Sequence, residues 1–528
     1  MFLPKRISPG SLLLPGELST NVDVHYSRNF EKPELFNGRP GSYKGPILPP
    51  PNGVDAASYP SSTPRSCKMA TLFLILLVFC TYMTLVASRP GFGEKIGLRM
   101  RVVAAAGVFG NGSKSWAQYT PYYAVEAYAA PPDECEITQV NILQRHGARY
   151  PTKSSTKAIE TALAKVQAIP VSDYTDPQLE FIADFDYDLG EDDLVAYGAQ
   201  ESYDAGEEAF TRYVALVSAD ELPFVRASSK SRVVQSATNW TAGFAAASNG
   251  VYAPLLNVII SESGNDTLDD SDCPAAADTS DDAQTAAWIA TYAPNITTIL
   301  NAGAPGADLD DDDTQALISL CPFESVANEQ RSEWCDLFEW VGDQIIGQGG
   351  ESVWAGYEYW GDLDKYYNTG YGATLGPVQG VGWINELLAR LTDTPVNDST
   401  STNTTLDSNP ATFPLNRTIY ADFTHDNLMI AVYSAMGLFA QPAPLDDTLP
   451  DPTRTWRASE LVPFASRMVV ERLSCGGEAY VRVLVNQAVQ DLSFCGADGD
   501  GLCTLDAFVE SQAYASSGGD GQWALCFE

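Results

Sequence analysis

Three times along the chain a short apolar run gives way to a polar turn and then to apolar residues at helical spacing. Ile137–Leu143 (ITQVNIL) suits a strand and ends in the turn Arg145-His146-Gly147. Leu222–Ala227 (LPFVRA) is a second short strand. After it come Ser228 and Ser229, candidate N-caps, and then Val233, Val234, Ala237, Trp240 and Phe244 with a helix period. Thr418–Phe423 (TIYADF) alternates, and Thr424-His425-Asp426 leads into a helical segment around Leu428–Leu438. Each junction sets polar groups at the carboxyl end of a strand and the amino end of a helix. Open α/β sheets bind ligands along that edge, and free N–H groups with the helix dipole favour phosphate there.

Further along, Met468–Leu473, Tyr480–Val485 and Val489–Leu492 read as strands near a turn at Asn486-Gln487, while Leu194–Leu216 and Asp313–Leu320 read as helices. The pattern predicts an α/β fold, a sheet with helices on both faces and an added helical lobe. Two polar stretches, 261–282 and 394–411, read as surface loops.

Charge and composition narrow the setting. Of 528 residues 45% are apolar, ample for a large core, and the net charge is −37. The first 88 residues carry +3, leaving −40 on the rest. So acidic a surface argues against nucleic acid, which needs dense Lys/Arg. Residues 1–68 are rich in Pro and Gly and read as an unstructured leader, or as sequence ahead of a true start at Met69. The apolar run 69–88 reads as a signal peptide, with a membrane anchor as the alternative. Positive charges downstream of the run would leave an anchored domain in the cytoplasm. Seven Asn-x-Ser/Thr sequons and an even set of eight Cys beyond the run favour secretion and N-glycans instead. A linker over 89–115 then precedes one globular unit, 116–528.

The densest chemistry lies in Arg145-His146-Gly147-Ala148-Arg149-Tyr150-Pro151. Two guanidinium groups in a tight turn can fork onto one phosphate. A histidine between them can attack phosphorus while the arginines neutralise its oxygens. The pair His425-Asp426 gains weight because the chain has three His, and the third, His25, lies in the leader. Arg226, at the end of the second strand, is a candidate further phosphate ligand.

These residues carry a resemblance. The chain is similar to the histidine acid phosphatases, and within them to fungal phytases, from about Trp116 to Glu528. The likeness runs through QYTPYY (118–123), RHGARYPT (145–152), VRASSKSRVVQSA (225–237), the long stretch 362–392, DFTHDN (422–427), VPFASRMVVERLSC (462–475) and VRVLVN (481–486). It implies a phosphoglycerate-mutase-like fold, with a central mixed sheet, flanking helices and an inserted smaller helical lobe. It implies His146 as the phosphate-accepting nucleophile and Asp426 as proton donor to the leaving alcohol. It also implies Arg145, Arg149, Arg226 and His425 as phosphate ligands. Asn427 is the phytase-like residue after His-Asp. Where such phytases often carry a Lys, this chain has Ser155, flanked by Lys153 and Lys157; Lys365 is a looser match to another substrate-side Lys. The family pattern pairs Cys135–Cys475, Cys273–Cys526, Cys321–Cys335 and Cys495–Cys503. From the residues alone, eight Cys allow 105 pairings.

Other motifs carry less. Asp498–Glu510 departs from a calcium loop at Leu502 and Cys503. Asp308–Asp313 is a solvated acidic run or a helix start. No His/Cys cluster has zinc spacing, so no metal or other cofactor is expected. The expected partner is a small phosphomonoester, inositol hexakisphosphate foremost. A broad acid phosphatase is the alternative, and a catalytically silent surface glycoprotein the reading from another class.

Overall fold

The computed structural model describes residues 109–528 except 280–281 and 348–351. The expectations for 1–68, 69–88 and 89–108 fall outside these residues. Among them, eight strands form one sheet: β1 Cys135–Arg145, β2 Phe224–Ser228, β3 Leu256–Ile260, β4 Ile419–Thr424, β5 Arg467–Cys475, β6 Glu478–Val485, β7 Ala488–Val489 and β8 Cys503–Thr504. Their order is β3-β2-β4-β1-β5-β6-β7, with β8 beside β6. From β3 to β1 neighbours run parallel, and from β1 onward they are antiparallel, so the sheet is mixed as expected. The run Val489–Leu492 is a strand only at its start. Asn486 and Gln487 both take positive φ to turn the chain, and it leaves the sheet after Val489.

Alternation along the strands sorts side chains to two faces. Val140, Ile142, Val225, Ala227, Ala421 and Phe423 pack against the helices Ala196–Tyr213 and Ser231–Ala247. Those two helices nearly touch: a Cβ on Gly206 would lie 2.0 Å from Trp240 O, and one on Gly243 would lie 1.9 Å from Tyr203 O. Leu143, Tyr420, Met468 and Val470 point the other way, onto the helices Val381–Thr392 and Asp426–Met436. A separate core forms the helical lobe from Lys153–Gln167, Ala283–Gly303, Asp311–Ile318, Leu320–Asn328, Glu333–Ile346 and the first turns of Val353–Asn368. Asp310 caps one of these helices reciprocally with Asp313, so the acidic run there is a helix start.

Three expectations need correction. The end of the supposed linker is folded: Phe109 is fully buried against Tyr197 and Trp116 in the helical lobe, and Asn111–Ser115 form a 3-10 turn. The stretch 261–282 is not a simple surface loop. Asp266, Thr267, Leu268 and Asp269 are buried, Leu268 O accepts from Thr424 Oγ1 at 2.6 Å, and a helix follows at Pro274–Thr279. In 394–411, Thr400, Ser401 and Thr402 are buried; Asp398 makes this tolerable by accepting from Thr400 N and Oγ1 and from Thr402 Oγ1.

Four disulfides join Cys135–Cys475, Cys273–Cys526, Cys321–Cys335 and Cys495–Cys503, the pairs the resemblance implied. The first links directly opposed residues of β1 and β5.

Candidate active site

The parallel strands β2, β4 and β1 lie side by side, so their carboxyl ends bring Ser228, Thr424 and Arg145 to one edge of the sheet. The turn after β1 is held from several sides. His146 N donates to Thr424 O at 3.0 Å, and Gly147 N donates to Ser236 Oγ at 3.0 Å. Glu201 accepts from Ala148 N and Tyr122 N, each at 2.8 Å. Position 147 needs glycine, because a Cβ would lie 2.1 Å from Gly198 O.

His146 is 1% exposed, and its Nδ1 lies 2.8 Å from Gly147 O. A carbonyl can only accept, so Nδ1 carries the hydrogen and Nε2 keeps a lone pair. Burial, then the Arg145 charge, then His425, Arg232 and Arg149, hold the imidazole pKa well below its ordinary value. The shift favours the neutral imidazole, with its lone pair on Nε2.

The cations around it differ in how they are anchored. Arg145 is fully buried; its Nη1 donates to Gln118 O at 2.5 Å and Val462 O at 2.6 Å, and its Nη2 lies 3.1 Å from Asp426 Oδ2. Arg149 donates from Nη1 to Tyr150 O at 2.8 Å. Arg232, the second residue of the helix Ser231–Ala247, reaches within 3.5 Å of His425 Nδ1. The Nε atoms of Arg145, Arg149 and Arg232 are buried without a hydrogen-bond partner. Unpartnered buried guanidinium donors around one imidazole suit a polyoxyanion.

Arg226 does not belong to this group. It sits inside β2, opposite Asp422 of β4, and is 1% exposed. Its Nε and Nη2 donate to Asp422 at 2.8 and 2.9 Å, and its Nη1 and Nη2 donate to Glu386 at 3.0 and 2.5 Å. Arg390 completes the cluster on Asp422. Four of its five N–H groups go to two carboxylates and the side chain is buried inside the sheet, so Arg226 is spent on this cluster, and the arginine near His146 that follows β2 is Arg232. Arg145 ends its strand, whereas Arg226 lies two residues short of the end of β2 and Arg232 is the second residue of the helix beyond it.

Asp426 is the first residue of the helix Asp426–Met436. Burial pushes its pKa up, but the Arg145 and Lys365 charges, with His146 and Arg149, outweigh burial and hold it well below the ordinary range. Lys365 is nearly buried; its Nζ lies 3.2 Å from Asp426 Oδ2, 3.1 Å from Asp364 Oδ2 and 2.8 Å from Asn427 Oδ1. Lys365 thus ties Asp426 to Asn427. Lys153 and Lys157 stand exposed on the first two turns of the helix Lys153–Gln167. His425 Nε2 lies 3.2 Å from Glu262 Oε1 and 3.8 Å from Asp269 Oδ1. The sequence reading missed both carboxylates, which come from the stretch taken as a surface loop. A cleft of about 630 Å³ opens beside them, lined also by Lys230, Asp270 and Ser229.

Residues 136–486 match the histidine phosphatase superfamily (branch 2). Phytase A of Aspergillus oryzae is 39% identical over 443 residues, covering 79% of this chain and 91% of that one. Phytase A of Aspergillus terreus is 40% identical over 442 residues, with the same coverage of each. In fold, the chain resembles the crystal structure of the phytase from D. castellii, with a TM-score of 0.62 at 22% identity over 77% of this chain and 86% of that one. It also resembles the Bifidobacterium longum multiple inositol polyphosphate phosphatase in complex with phosphate, with a TM-score of 0.56 at 16% identity over 76% and 97%. The matched segment contains both catalytic-type turns, Arg145–Arg149 and His425–Asp426, and this chain belongs to the histidine phosphatase superfamily, branch 2.

Proposed function

We propose that this chain is a secreted phytase, hydrolysing phosphomonoesters, inositol hexakisphosphate foremost, through a phosphohistidine on His146. The observation that carries the reading is the geometry of His146: Nδ1–H tied to Gly147 O, Nε2 free, and Arg145, Arg149, Arg232 and Asp426 around it. The Nε2 lone pair attacks phosphorus as the P–O bond to the alcohol breaks. The arginines balance charge on the phosphoryl oxygens. Protonated Asp426 gives its hydrogen to the departing oxygen. Water then attacks the phosphohistidine, Asp426 takes the water's proton, and inorganic phosphate leaves.

In the ligand-free protein Asp426 is a carboxylate. A bound phosphate dianion offsets the cations that keep it so and repels the ionised form, so the acid recovers its proton as substrate binds, most readily at low pH. Secretion is supported by the apolar run 69–88, the sequons and four disulfides, which persist in oxidising compartments. Among the described residues no helix is long and apolar enough to cross a membrane.

One observation favours a broader acid phosphatase. The cleft beside His425 offers Glu262, Asp269 and Asp270 against one Lys230, a poor neighbour for additional phosphates. The deciding experiment compares phosphate release from inositol hexakisphosphate and p-nitrophenyl phosphate, with acid quench to trap the phosphoenzyme. Label on His146 and faster turnover of inositol hexakisphosphate are expected. Label elsewhere, or no turnover, overturns the mechanism; preference for p-nitrophenyl phosphate selects the broader reading.

A further inference from the structure

His425 is gripped from both sides of its ring. A carboxylate can only accept, so the hydrogen between Nε2 and Glu262 Oε1, at 3.2 Å, belongs to Nε2. Asp269 Oδ1 stands behind at 3.8 Å. The opposite nitrogen, Nδ1, faces Arg232 Nη2 at 3.5 Å, and the ring centroid lies 5.5 Å from that of His146. A guanidinium can only donate, so in the ligand-free protein Nδ1 accepts from it; a proton added to Nδ1 makes two facing donors, which an anion between them can bridge. Glu262 is no loose surface acid. Its Oε1 also accepts from Ser228 Oγ at 2.7 Å and Lys230 N at 3.2 Å, and its Oε2 pairs with Lys230 Nζ at 2.9 Å. The end of β2 therefore fixes the carboxylate that fixes the histidine.

We propose that Glu262, backed by Asp269, is a positioning residue that keeps His425 a doubly protonated imidazolium when phosphate is bound, so that Nδ1–H joins Arg232 as a donor to the phosphoryl oxygens. The inference rests on the proposed phosphatase reading. Its physical basis is charge balance. His425 stands beside the Arg232 guanidinium, from the helix after β2, with the uncharged His146 ring from the turn after β1 at 5.5 Å. Besides bound phosphate, carboxylates favour a second proton on its ring: Glu262, Asp269 and Asp270 from the segment after β3, and Asp426 from its own helix. Glu262 is the one in hydrogen-bond contact with the ring.

Glu262→Gln tests this, because the amide oxygen can still accept from Nε2–H, and only the charge goes. Inhibition by inorganic phosphate and single-turnover phosphorylation by p-nitrophenyl phosphate are measured from pH 3 to 8, the latter also in an Asp426→Asn background. That background removes the titration of the proton donor. We expect phosphate inhibition to weaken about tenfold near pH 6 and little near pH 3.5, and the basic limb of phosphorylation to move about one pH unit toward acid in both backgrounds. Asp269→Asn, a second variant in case the first misfolds, should shift the limb the same way by less. Unmoved profiles in folded variants overturn the role of Glu262. A limb that moves only with Asp426 present overturns it too, since the charge would then act on the proton donor. A wild-type protein that forms no phosphohistidine instead refutes the phosphatase reading itself.

Discussion

Exchanging Arg226 for Met should damage stability and spare chemistry, while exchanging Arg232 for Ala should do the reverse. Arg226 makes two bonds to Asp422 and two to Glu386 beneath the sheet edge. Without it, Asp422 keeps Arg390 at 2.8 Å and Trp383 Nε1 at 3.0 Å. Glu386 keeps a hydrogen bond from Thr267 Oγ1, which brings no charge. A buried carboxylate left uncompensated costs about 3–5 kcal/mol. At roughly 2 °C per kcal/mol for a unit this large, Tm should fall by about 6–10 °C. Adding Glu386→Gln should return part of that loss, because the stranded charge is gone. Arg232 has looser company, with Asp192 at 3.7 Å, and burial and the Arg149 charge pull its pKa down. Its removal should leave Tm unchanged or raise it slightly, and slow phosphorylation by about 10²–10³-fold through loss of a donor to the transferring group. Thermal unfolding by circular dichroism and rapid-quench phosphorylation on the folded proteins separate the two effects. An Arg226→Met protein with wild-type Tm and no phosphorylation would refute the assignment of Arg226 to the buried cluster.

Asp426→Asn should slow phosphorylation by inositol hexakisphosphate by about 10²–10⁴-fold but by p-nitrophenyl phosphate far less, since p-nitrophenolate leaves without a proton; equal losses in single-turnover rates would reassign Asp426 to positioning. Stability should peak in mild acid. Burial raises Glu201 from 4.5 to about 7, so its contribution is full below 4.5 and lost as pH climbs through 7, whereas Glu262, lowered to about 2 as hydrogen bonds from His425 and Lys230 outweigh burial, contributes above 4.5 and fails as pH falls toward 2. Tm measured from pH 2 to 8 should therefore be highest between about 4.5 and 6, and a maximum above pH 7 would contradict these shifts. Chelation by EDTA should leave turnover intact, because arginines supply the charge around the nucleophile; activity lost to EDTA and restored by zinc or calcium would refute that.

The two turns of the site were legible in the sequence because their information is local. Arg145-His146-Gly147 and His425-Asp426 each close a strand whose alternation shows in seven or fewer residues, and a strand's end facing a helix's start is where a phosphate site forms. The sheet with helices on both faces and the separate helical lobe followed from the same periodicities, and the mixed character of the sheet and the disulfide pairs from the resemblance. What the sequence could not assign was direction and depth. Arg226 and Arg232 are six residues apart in one basic stretch, and only the register of β2 against β4 places the first opposite Asp422 and leaves the second free to face His146. The segment 261–272 looks polar enough for solvent. Yet Leu268 is buried beside the site, carrying Asp269 into the interior, and Glu262 is pinned to the end of β2. Lys365 lies far along the chain from Asp426 and meets it only because the helix Val353–Asn368 packs on the helix that Asp426 begins. Local patterning singled out His146 and the pair His425-Asp426, since strand ends and helix starts are written in neighbouring residues, and the resemblance suggested their roles. Which charges surround them was decided by strand register and by loop burial, which depend on partners hundreds of residues away.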